Sequence, residues 1–207
     1  MDDDSDCLDR LLAGDEEAFS ELIDDYHAEM IRVAEAFVDD RSTAEESVQE
    51  TWTAVIEGLD DFEGRSSLKT WIFSILTNQA RKRGEKEARE PNWSELSEEP
   101  LDREVTEDAN RFNAEGRWSK PPVPWSVDPE EKTLRREMLS VVDEAIDDLP
   151  RRQRVVVTMR DVEGWSSDEV CDVLDISNGN QRVLLHRGRK KLRRVLEEVF
   201  GDVGGAT

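Results

Sequence analysis

Three stretches in the first part of the chain place apolar side chains three and four positions apart, the spacing of an amphipathic helix. Residues 15–38 carry this stripe at Phe19, Leu22, Ile23, Tyr26, Met30, Val33, Ala34 and Phe37. Residues 42–62 carry it at Val48, Trp52, Val55, Ile56 and Leu59, and residues 66–83 at Leu68, Trp71, Ile72, Ile75 and Leu76. Three such helices can bury one another's stripes. We therefore predict a helical first domain at 1–90, with Trp52 in its core.

The start of the second helix carries a capping pattern. Ser42 or Thr43 precedes Glu45 or Glu46 by three residues, as in a capping box. We expect one of the two hydroxyl residues to be the N-cap of that helix.

Helical periodicity stops at residues 91–130, which hold six of the seven prolines and three of the six tryptophans. This composition predicts a linker that Trp118 and Trp125 anchor against a surface.

The apolar periodicity returns at residues 131–207. Its last two helices, at 166–177 and 178–200, have the lengths and short turn of a helix-turn-helix. We predict an all-α chain of two small domains.

One segment near the end of the chain is strongly basic, although the chain as a whole is acidic. The chain has 28 cations and 50 acids, a net charge of −22, yet residues 182–194, RVLLHRGRKKLRR, hold seven Lys/Arg and no acid. The apolar side of this helix is formed by Leu185, Gly188, Leu192, Val195 and Val199. The opposite side carries Arg182, His186, Arg189 and Arg193. A helix that docks by one side and presents cations on the other suits a polyanion such as DNA.

The acidic surplus lies mainly in residues 1–90, which hold 25 acids and 10 cations, whereas residues 131–207 are nearly balanced at 15 and 14. Such a surplus repels nucleic acid at long range. We expect the first half to weaken DNA binding by the free protein, by folding over the second half or by repulsion.

Several function classes are disfavoured. The two histidines, His27 and His186, lie on separate predicted helices, and the chain contains no nucleophile–base or phosphate-loop motif. We expect no enzyme, no metal and no cofactor. Cys7 and Cys171 lie outside any CxxC pattern, which disfavours a disulfide or zinc site. No run of eighteen apolar residues occurs, so we expect a cytoplasmic protein with no membrane insertion.

Four segments resemble the extracytoplasmic-function (ECF) sigma factors of the sigma-70 family, with the likeness covering residues 10–90 and 130–198. They are AEESVQETW at 44–52, DDFEGRSSLKTWIFSILTNQARKR at 60–83, LPRRQRVVVTMRDVEGWSSDEV at 149–170 and LDISNGNQRVLLHRGRKKLR at 174–193. The resemblance implies an alternative-type sigma factor that binds core RNA polymerase at its clamp helices and flap. It would direct promoter-specific initiation under the control of an anti-sigma factor.

The resemblance assigns residues 1–90 to sigma region 2, 91–130 to a linker and 131–207 to region 4. Within region 2, the loop from Asp60 to Thr70 and the following helix would bind the melted minus-10 element. The implied minus-10 residues are Phe62, Arg65, Ser66, Lys69, Thr70, Trp71, Phe73, Ser74, Asn78 and Arg81. The implied minus-35 residues are Arg182, Val183, His186, Arg187 and Lys190. The implied polymerase-binding residues are Glu45, Glu46, Gln49 and Glu50.

The sequence departs from the family pattern at several of these places. Val183 stands where serine is common, Gln181 where an apolar residue is usual, and Asp175 where glycine often makes the turn. Ser74 and Thr77 replace frequent arginines, which weakens the expected grip on phosphates. We expect this loss to increase dependence on the polymerase.

Two other functions fit parts of the chain. A free-standing helix-turn-helix regulator would need only residues 150–198, and it would bind its operator without polymerase. An interaction protein that uses only the acidic first domain is disfavoured by the cations between Lys69 and Arg83.

Overall fold

The computed structural model describes residues 2–88 and 131–200, and the side chains of residues 7–86, 139–196 and 198. The linker at 91–130, with its predicted anchors Trp118 and Trp125, lies outside the described residues. All regular structure within the described ranges is helical, which confirms the all-α prediction.

The first domain contains four α-helices. They are α1 (Asp2–Leu12), α2 (Glu16–Glu35), α3 (Arg41–Gly58) and α4 (Leu68–Ala88), with a 3₁₀ turn at Leu59–Asp61 after α3. The sequence analysis predicts α2, α3 and α4 but not α1, in which five of the eleven residues are aspartates. Leu11 of α1 is nonetheless buried in the core that α2, α3 and α4 share.

The second domain begins with α5 (Glu131–Asp147) and α6 (Arg151–Val157). The last turn of α6 widens into a π-helical turn at Thr158–Val162. The helix-turn-helix follows as α7 (Ser167–Leu174) and α8 (Asn178–Phe200). Asp175 ends α7 in the left-handed conformation, with φ of 53°, so aspartate makes the turn that glycine often makes.

The predicted cap of α3 is wrong by two or three residues. Asp40 is the N-cap, and its carboxylate accepts hydrogen bonds from the Thr43 backbone N–H at 2.9 Å and the Thr43 hydroxyl at 2.6 Å. A carboxylate satisfies the free N–H groups of a first turn as well as a hydroxyl does. Thr43 therefore donates to the cap instead of forming it.

One hydrophobic core runs through both domains. In the first, Trp52 is 8% exposed and meets Phe19 edge-on, with ring centroids 5.8 Å apart, which confirms its core assignment. Helix α4 packs on α3 with one side and on α7 of the second domain with another. The position of α4 between the two domains determines which of its residues are open to solvent.

Candidate nucleic-acid interface

The loop before α4 presents several of the predicted minus-10 residues. Gly64 makes the reversal with φ of 67°, and the Ser67 hydroxyl then accepts from the Thr70 backbone N–H at 3.1 Å, which holds the first turn of α4. Arg65 and Ser66 are exposed. Phe62 is half-buried against Trp71, with ring centroids 5.1 Å apart.

One side of α4 continues this surface with three half-buried residues, Trp71, Ser74 and Arg81, and the exposed Asn78. Trp71, Ser74, Asn78 and Arg81 follow each other at spacings of three and four, and therefore share a side of the helix. Asn78 is exposed and accepts a hydrogen bond from Arg81 at 2.6 Å. The structure thus brings together seven of the ten predicted minus-10 residues on or beside this open side.

The neighbouring side of α4 is covered by the second domain. Phe73 is fully buried and meets Trp165 edge-on, with centroids 4.8 Å apart. The Thr77 hydroxyl donates to the Val173 carbonyl of α7 at 3.2 Å. Thr70 is also buried, with its hydroxyl 2.8 Å from that of Ser67. In this arrangement Phe73 and Thr70 are closed to solvent, although the sequence placed both on the DNA face.

Lys69 also lies in this contact between the two domains, which is called the seam below. Its Nζ lies 2.8 Å from Glu29 Oε1 of α2 and 4.5 Å from the centroid of the Trp165 ring. The Trp165 indole N–H donates to the same Glu29 oxygen. The cation predicted to meet DNA therefore contacts a carboxylate and an indole when the domains are packed together.

Three arginines complete the seam away from Trp165. Arg32 of α2 pairs with Glu163 through both carboxylate oxygens, at 2.6 and 2.8 Å. Arg151 is 8% exposed and donates to the Gly84 carbonyl at 2.6 Å, and Arg154 donates to the Ala36 carbonyl at 3.0 Å. The last two satisfy backbone acceptors at the ends of α2 and α4, so the seam is polar as well as apolar.

The predicted minus-35 residues differ in their exposure to solvent. Arg182 and Lys190 on α8 are exposed, and His186 and Arg187 are half-buried. Val183, by contrast, is 2% exposed, so it does not share the open surface with Arg182. Gln181 is also buried, and its side-chain oxygen accepts from the Ser167 hydroxyl at 3.0 Å. This hydrogen bond satisfies the side-chain oxygen of Gln181, whereas its buried amide nitrogen has no hydrogen-bond partner among the described residues.

Arg189 corrects the predicted basic side of α8. Its guanidinium pairs with both oxygens of Asp161 in the π-helical turn, at 2.8 and 2.5 Å, and its side chain is 11% exposed. Arg189 therefore packs against the π-helical turn and does not belong to the exposed basic side of α8. Gly188 is on the packed side as predicted, buried against Val157.

The start of α7 is fixed by a capping box. Ser166 Oγ accepts from the Glu169 backbone N–H at 3.2 Å, and the Glu169 carboxylate accepts from the Ser166 backbone N–H at 2.8 Å. Hydrogen bonding of the Glu169 carboxylate to the Ser166 side chain and backbone N–H lowers the pKa of Glu169. Because Ser166 directly follows Trp165, the box also holds the indole at the seam.

The predicted polymerase-binding residues form an exposed edge of α3. Glu45, Glu46, Gln49 and Glu50 are all open to solvent. Arg83 of α4 lies between two of them, 2.7 Å from Glu46 and 2.5 Å from Glu50. Arg41 pairs with Glu45 at 2.9 Å. The edge is therefore an ordered set of carboxylates with cations at its border.

Sequence reasoning gave no role to Glu29, Arg32, Glu163 or Trp165. No local sequence pattern marks these four residues, and they come together only where α2, α4 and the segment before α7 meet.

Among the described residues, no cluster of His, Cys, Asp or Glu has the make-up of a metal site, and both cysteines are free. None of the helices described is long and apolar enough to cross a membrane.

Comparison with known proteins gives two family matches. The family model described as Sigma-70 region 2 matches residues 22–90, and that described as Sigma-70, region 4 matches residues 139–192. The first range holds most of α2 and all of α3 and α4, and the second holds parts of α5 and α8 and all of α6 and α7. Each match thus falls on one of the two helical domains.

Relatives and solved structures agree with these matches. The RNA polymerase sigma-H factor of Pseudomonas aeruginosa is 27% identical over 98% of both chains. The ECF RNA polymerase sigma factor SigX of Bacillus subtilis is 28% identical over 88% of this chain and 85% of its own. In fold, the chain is similar to CnrH in complex with the cytosolic domain of CnrY, with a TM-score of 0.60, 19% identity, and coverage of 94% of this chain and 97% of that one. It is also similar to RpoE in complex with the anti-sigma factor NepR from Bartonella quintana, with a TM-score of 0.57, 20% identity, and coverage of 86% and 96%.

Proposed function

Because the chain belongs to the sigma-70 family, as an ECF-type member with regions 2 and 4, we propose that it directs core RNA polymerase to a specific set of promoters. It does so as a transcription initiation factor, and we assign it no catalytic step of its own. The observation that carries this proposal is the pairing of two family regions, in order, on two helical domains that each present an exposed polar or basic helix face.

The two faces divide the promoter between them. The open side of α4, with Trp71, Ser74, Asn78 and Arg81, would bind the melted minus-10 strand, and α8, with Arg182 and Arg187, would read the minus-35 duplex. Aromatic and amide side chains suit unpaired bases, whereas arginine suits guanine edges in the major groove. The acidic edge of α3 would bind the polymerase clamp helices. The site of action is then the cytoplasm, where polymerase and promoter meet.

The closed arrangement supports a resting state of the free protein. Lys69 and Phe73 are covered by Trp165, so part of the minus-10 surface cannot meet DNA until the domains separate. Binding to polymerase would hold the two domains apart on its own surface. The two solved structures named above each contain a partner, and one partner is called an anti-sigma factor. We propose that an anti-sigma factor holds this chain in its closed form.

Reconstituted transcription tests the assignment. Core polymerase with the full chain should initiate at promoters that start-site mapping after induced overexpression identifies, and core polymerase alone should not. Tight, specific duplex binding by the free chain, with no effect on core polymerase, would instead favour the free-standing regulator.

A further inference from the structure

Helix α4 has a second covered side, and Thr77 lies in its middle. Phe73, Thr77 and Gly84 follow one another at spacings of four and seven residues, so they share a side of the helix. Each contacts a different element of the second domain. Phe73 meets the Trp165 ring, the Thr77 hydroxyl reaches α7, and the Gly84 carbonyl accepts a hydrogen bond from Arg151 at the start of α6. The second domain is therefore seated along the length of α4.

The hydrogen bond of Thr77 completes the end of α7. The Thr77 hydroxyl donates to the Val173 carbonyl at 3.2 Å, and the two residues are 3% and 5% exposed. Val173 lies in the last turn of α7, where a carbonyl has no partner within its own helix. The N–H groups of the following turn are used elsewhere, since those of Asp175 and Ile176 both donate to the Cys171 carbonyl. Thr77 therefore caps α7 from the other domain.

Separation of the domains would affect the two partners unequally. The Thr77 hydroxyl can donate to the Ser74 carbonyl of its own helix, which lies 3.3 Å away. The Val173 carbonyl has no such substitute within α7, because the helix ends one residue later. Thr77 is thus satisfied in either arrangement, whereas the end of α7 is capped by Thr77 only when the domains are packed together.

We propose that Thr77 is an autoinhibitory residue, which caps α7 across the seam and so favours the closed form in which part of α4 is hidden. The inference deepens the proposed function and rests on it, because closure regulates DNA binding only in a promoter-binding factor. It gives Thr77 a role that depends on the second domain and not on contact with phosphates.

This contact differs in kind from the ion pairs of the seam. Arg32 and Glu163 are joined by charge, and Arg32 is half exposed. Salt screens an exposed ion pair but acts little on a buried, uncharged hydrogen bond. The contribution of Thr77 to closure should therefore persist at salt concentrations that remove the contribution of the ion pair.

Two substitutions at Thr77 isolate the hydroxyl, and a third at Thr51 is the matched control. Thr77→Val keeps the branched shape but leaves the Val173 carbonyl buried without its donor, which should disfavour the closed form about tenfold. Thr77→Ser keeps the hydroxyl and should keep the chain closed. Thr51 is also fully buried, but its hydroxyl donates to the Ser47 carbonyl of its own helix at 2.7 Å. Thr51→Val therefore removes a buried hydroxyl whose hydrogen bond lies within the first domain.

The experiment uses the full chain without polymerase, at low and at high salt. Small-angle X-ray scattering measures the radius of gyration, and a forked promoter measures affinity for its single-stranded minus-10 arm. Thr77→Val should have a larger radius and bind the arm about tenfold more tightly, because a larger fraction of the chain is competent to bind. Thr77→Ser and Thr51→Val should match the natural chain. Circular dichroism checks that every variant is folded.

The complex with core polymerase supplies the second comparison. There the proposed function holds the domains apart, so Thr77→Val and the natural chain should bind the forked promoter equally. Weaker binding by Thr77→Val in both settings would mean that Thr77 contacts DNA, and would overturn the autoinhibitory role.

Two further results would also count against the proposal. An unchanged radius and affinity in free Thr77→Val would show that the cap does not favour closure, and equal opening by Thr51→Val would trace the effect to a general loss of stability. Absence of transcription by the natural chain with core polymerase would overturn the proposed function, and with it the inhibitory role. The radius of Thr77→Val would still report on the cap itself, so the two failures are distinguishable.

Discussion

Arg32 of α2 forms a bidentate ion pair with Glu163, which lies at the end of the π-helical turn in the other domain. Nε and Nη2 of Arg32 lie 2.6 and 2.8 Å from the two carboxylate oxygens. The Glu163 side chain is 7% exposed, whereas that of Arg32 is 48% exposed. Paired, bidentate geometry is the case in which an ion pair near the surface contributes measurably. The pair therefore helps to hold the domains closed.

Removing this pair should open the free chain. We expect Glu163→Gln to destabilise the closed arrangement by about 1 kcal/mol, the upper range for an accessible ion pair, and to raise the affinity for single-stranded minus-10 DNA severalfold. Small-angle X-ray scattering should show a larger radius of gyration. The exchanged pair, Arg32→Glu with Glu163→Arg, should restore the compact form. An unchanged radius in Glu163→Gln would mean that the seam does not depend on this pair.

The capping box of α7 makes a pH-dependent contribution to stability. Hydrogen bonds from Ser166 lower the pKa of Glu169, so this stabilisation is present above the ordinary glutamate pKa of about 4.3 and is lost as pH falls through the lower folded value. Ser166→Ala should reduce the free energy of unfolding by about 1 kcal/mol at pH 7. Glu169→Gln keeps the reciprocal hydrogen bond but removes the titration.

Urea unfolding at several pH values measures both effects. The natural chain should lose stability more steeply than Glu169→Gln as pH falls below about 5, the region where such a group begins to gain its proton. Parallel pH profiles for the two proteins would show that the carboxylate of Glu169 does not contribute.

Gly188 should be intolerant of a side chain because α8 packs closely on α6 there. A Cβ at Gly188 would lie 2.6 Å from Val157 Cγ2 and 3.5 Å from Gln153 Cβ, and Val157 is fully buried. We expect Gly188→Ala to cost about 1 to 3 kcal/mol through overpacking. Gly179→Ala is the control, since only Ser177 Oγ lies nearby, at 3.8 Å. It should be neutral or stabilise by about 0.5 kcal/mol. Equal thermal unfolding of the two variants would contradict the close approach.

The acidic edge of α3 should contribute to polymerase binding. Glu46 and Glu50 are exposed, and Arg83 holds both in place from α4. Changing either acid to Ala should weaken binding of the full chain to core polymerase without loss of thermal stability, because exposed pairs stabilise a fold little. Glu57→Ala, an exposed acid about two turns further along α3 than Glu50, is the control. Equal affinities for all three variants would remove the edge from the proposed contact.

Helical periodicity predicts which residues share a side of a helix, but it does not say what covers that side. It places Phe73 off the apolar stripe of α4, and so on the DNA face, yet Phe73 is fully buried because α4 has a second covered side against α7 and Trp165. Arg189 shows the same limit, since Asp161 reaches it from the π-helical turn. Helix α1 was not predicted although Cys7, Leu8, Leu11 and Leu12 recur at helical spacing, because this stripe is less than two turns long and stands among five aspartates. Contacts between distant segments leave no local pattern.

The last prediction separates base recognition from phosphate binding on α8. We propose that Arg182 and Arg187 read base edges, because arginine can bind guanine O6 and N7 with two hydrogen bonds. Either change to Ala should cost about 1 to 3 kcal/mol at one or two bases of the minus-35 element, and should relax preference only there.

Lys190 and Lys191, both exposed, should act through phosphates instead. Their change to Ala should weaken binding evenly across sequences and lower the salt slope by about one unit, because each removes one cation that displaces a counterion. Arg189→Ala is the structural control: its guanidinium is engaged by Asp161, so it should lower the melting temperature more than it alters base preference. The measurement is affinity of the polymerase complex for a set of single-base minus-35 variants at several salt concentrations. Sequence-blind losses of equal size at Arg182, Arg187, Lys190 and Lys191 would mean that α8 binds only the backbone of DNA, and that promoter choice lies in the minus-10 contacts alone.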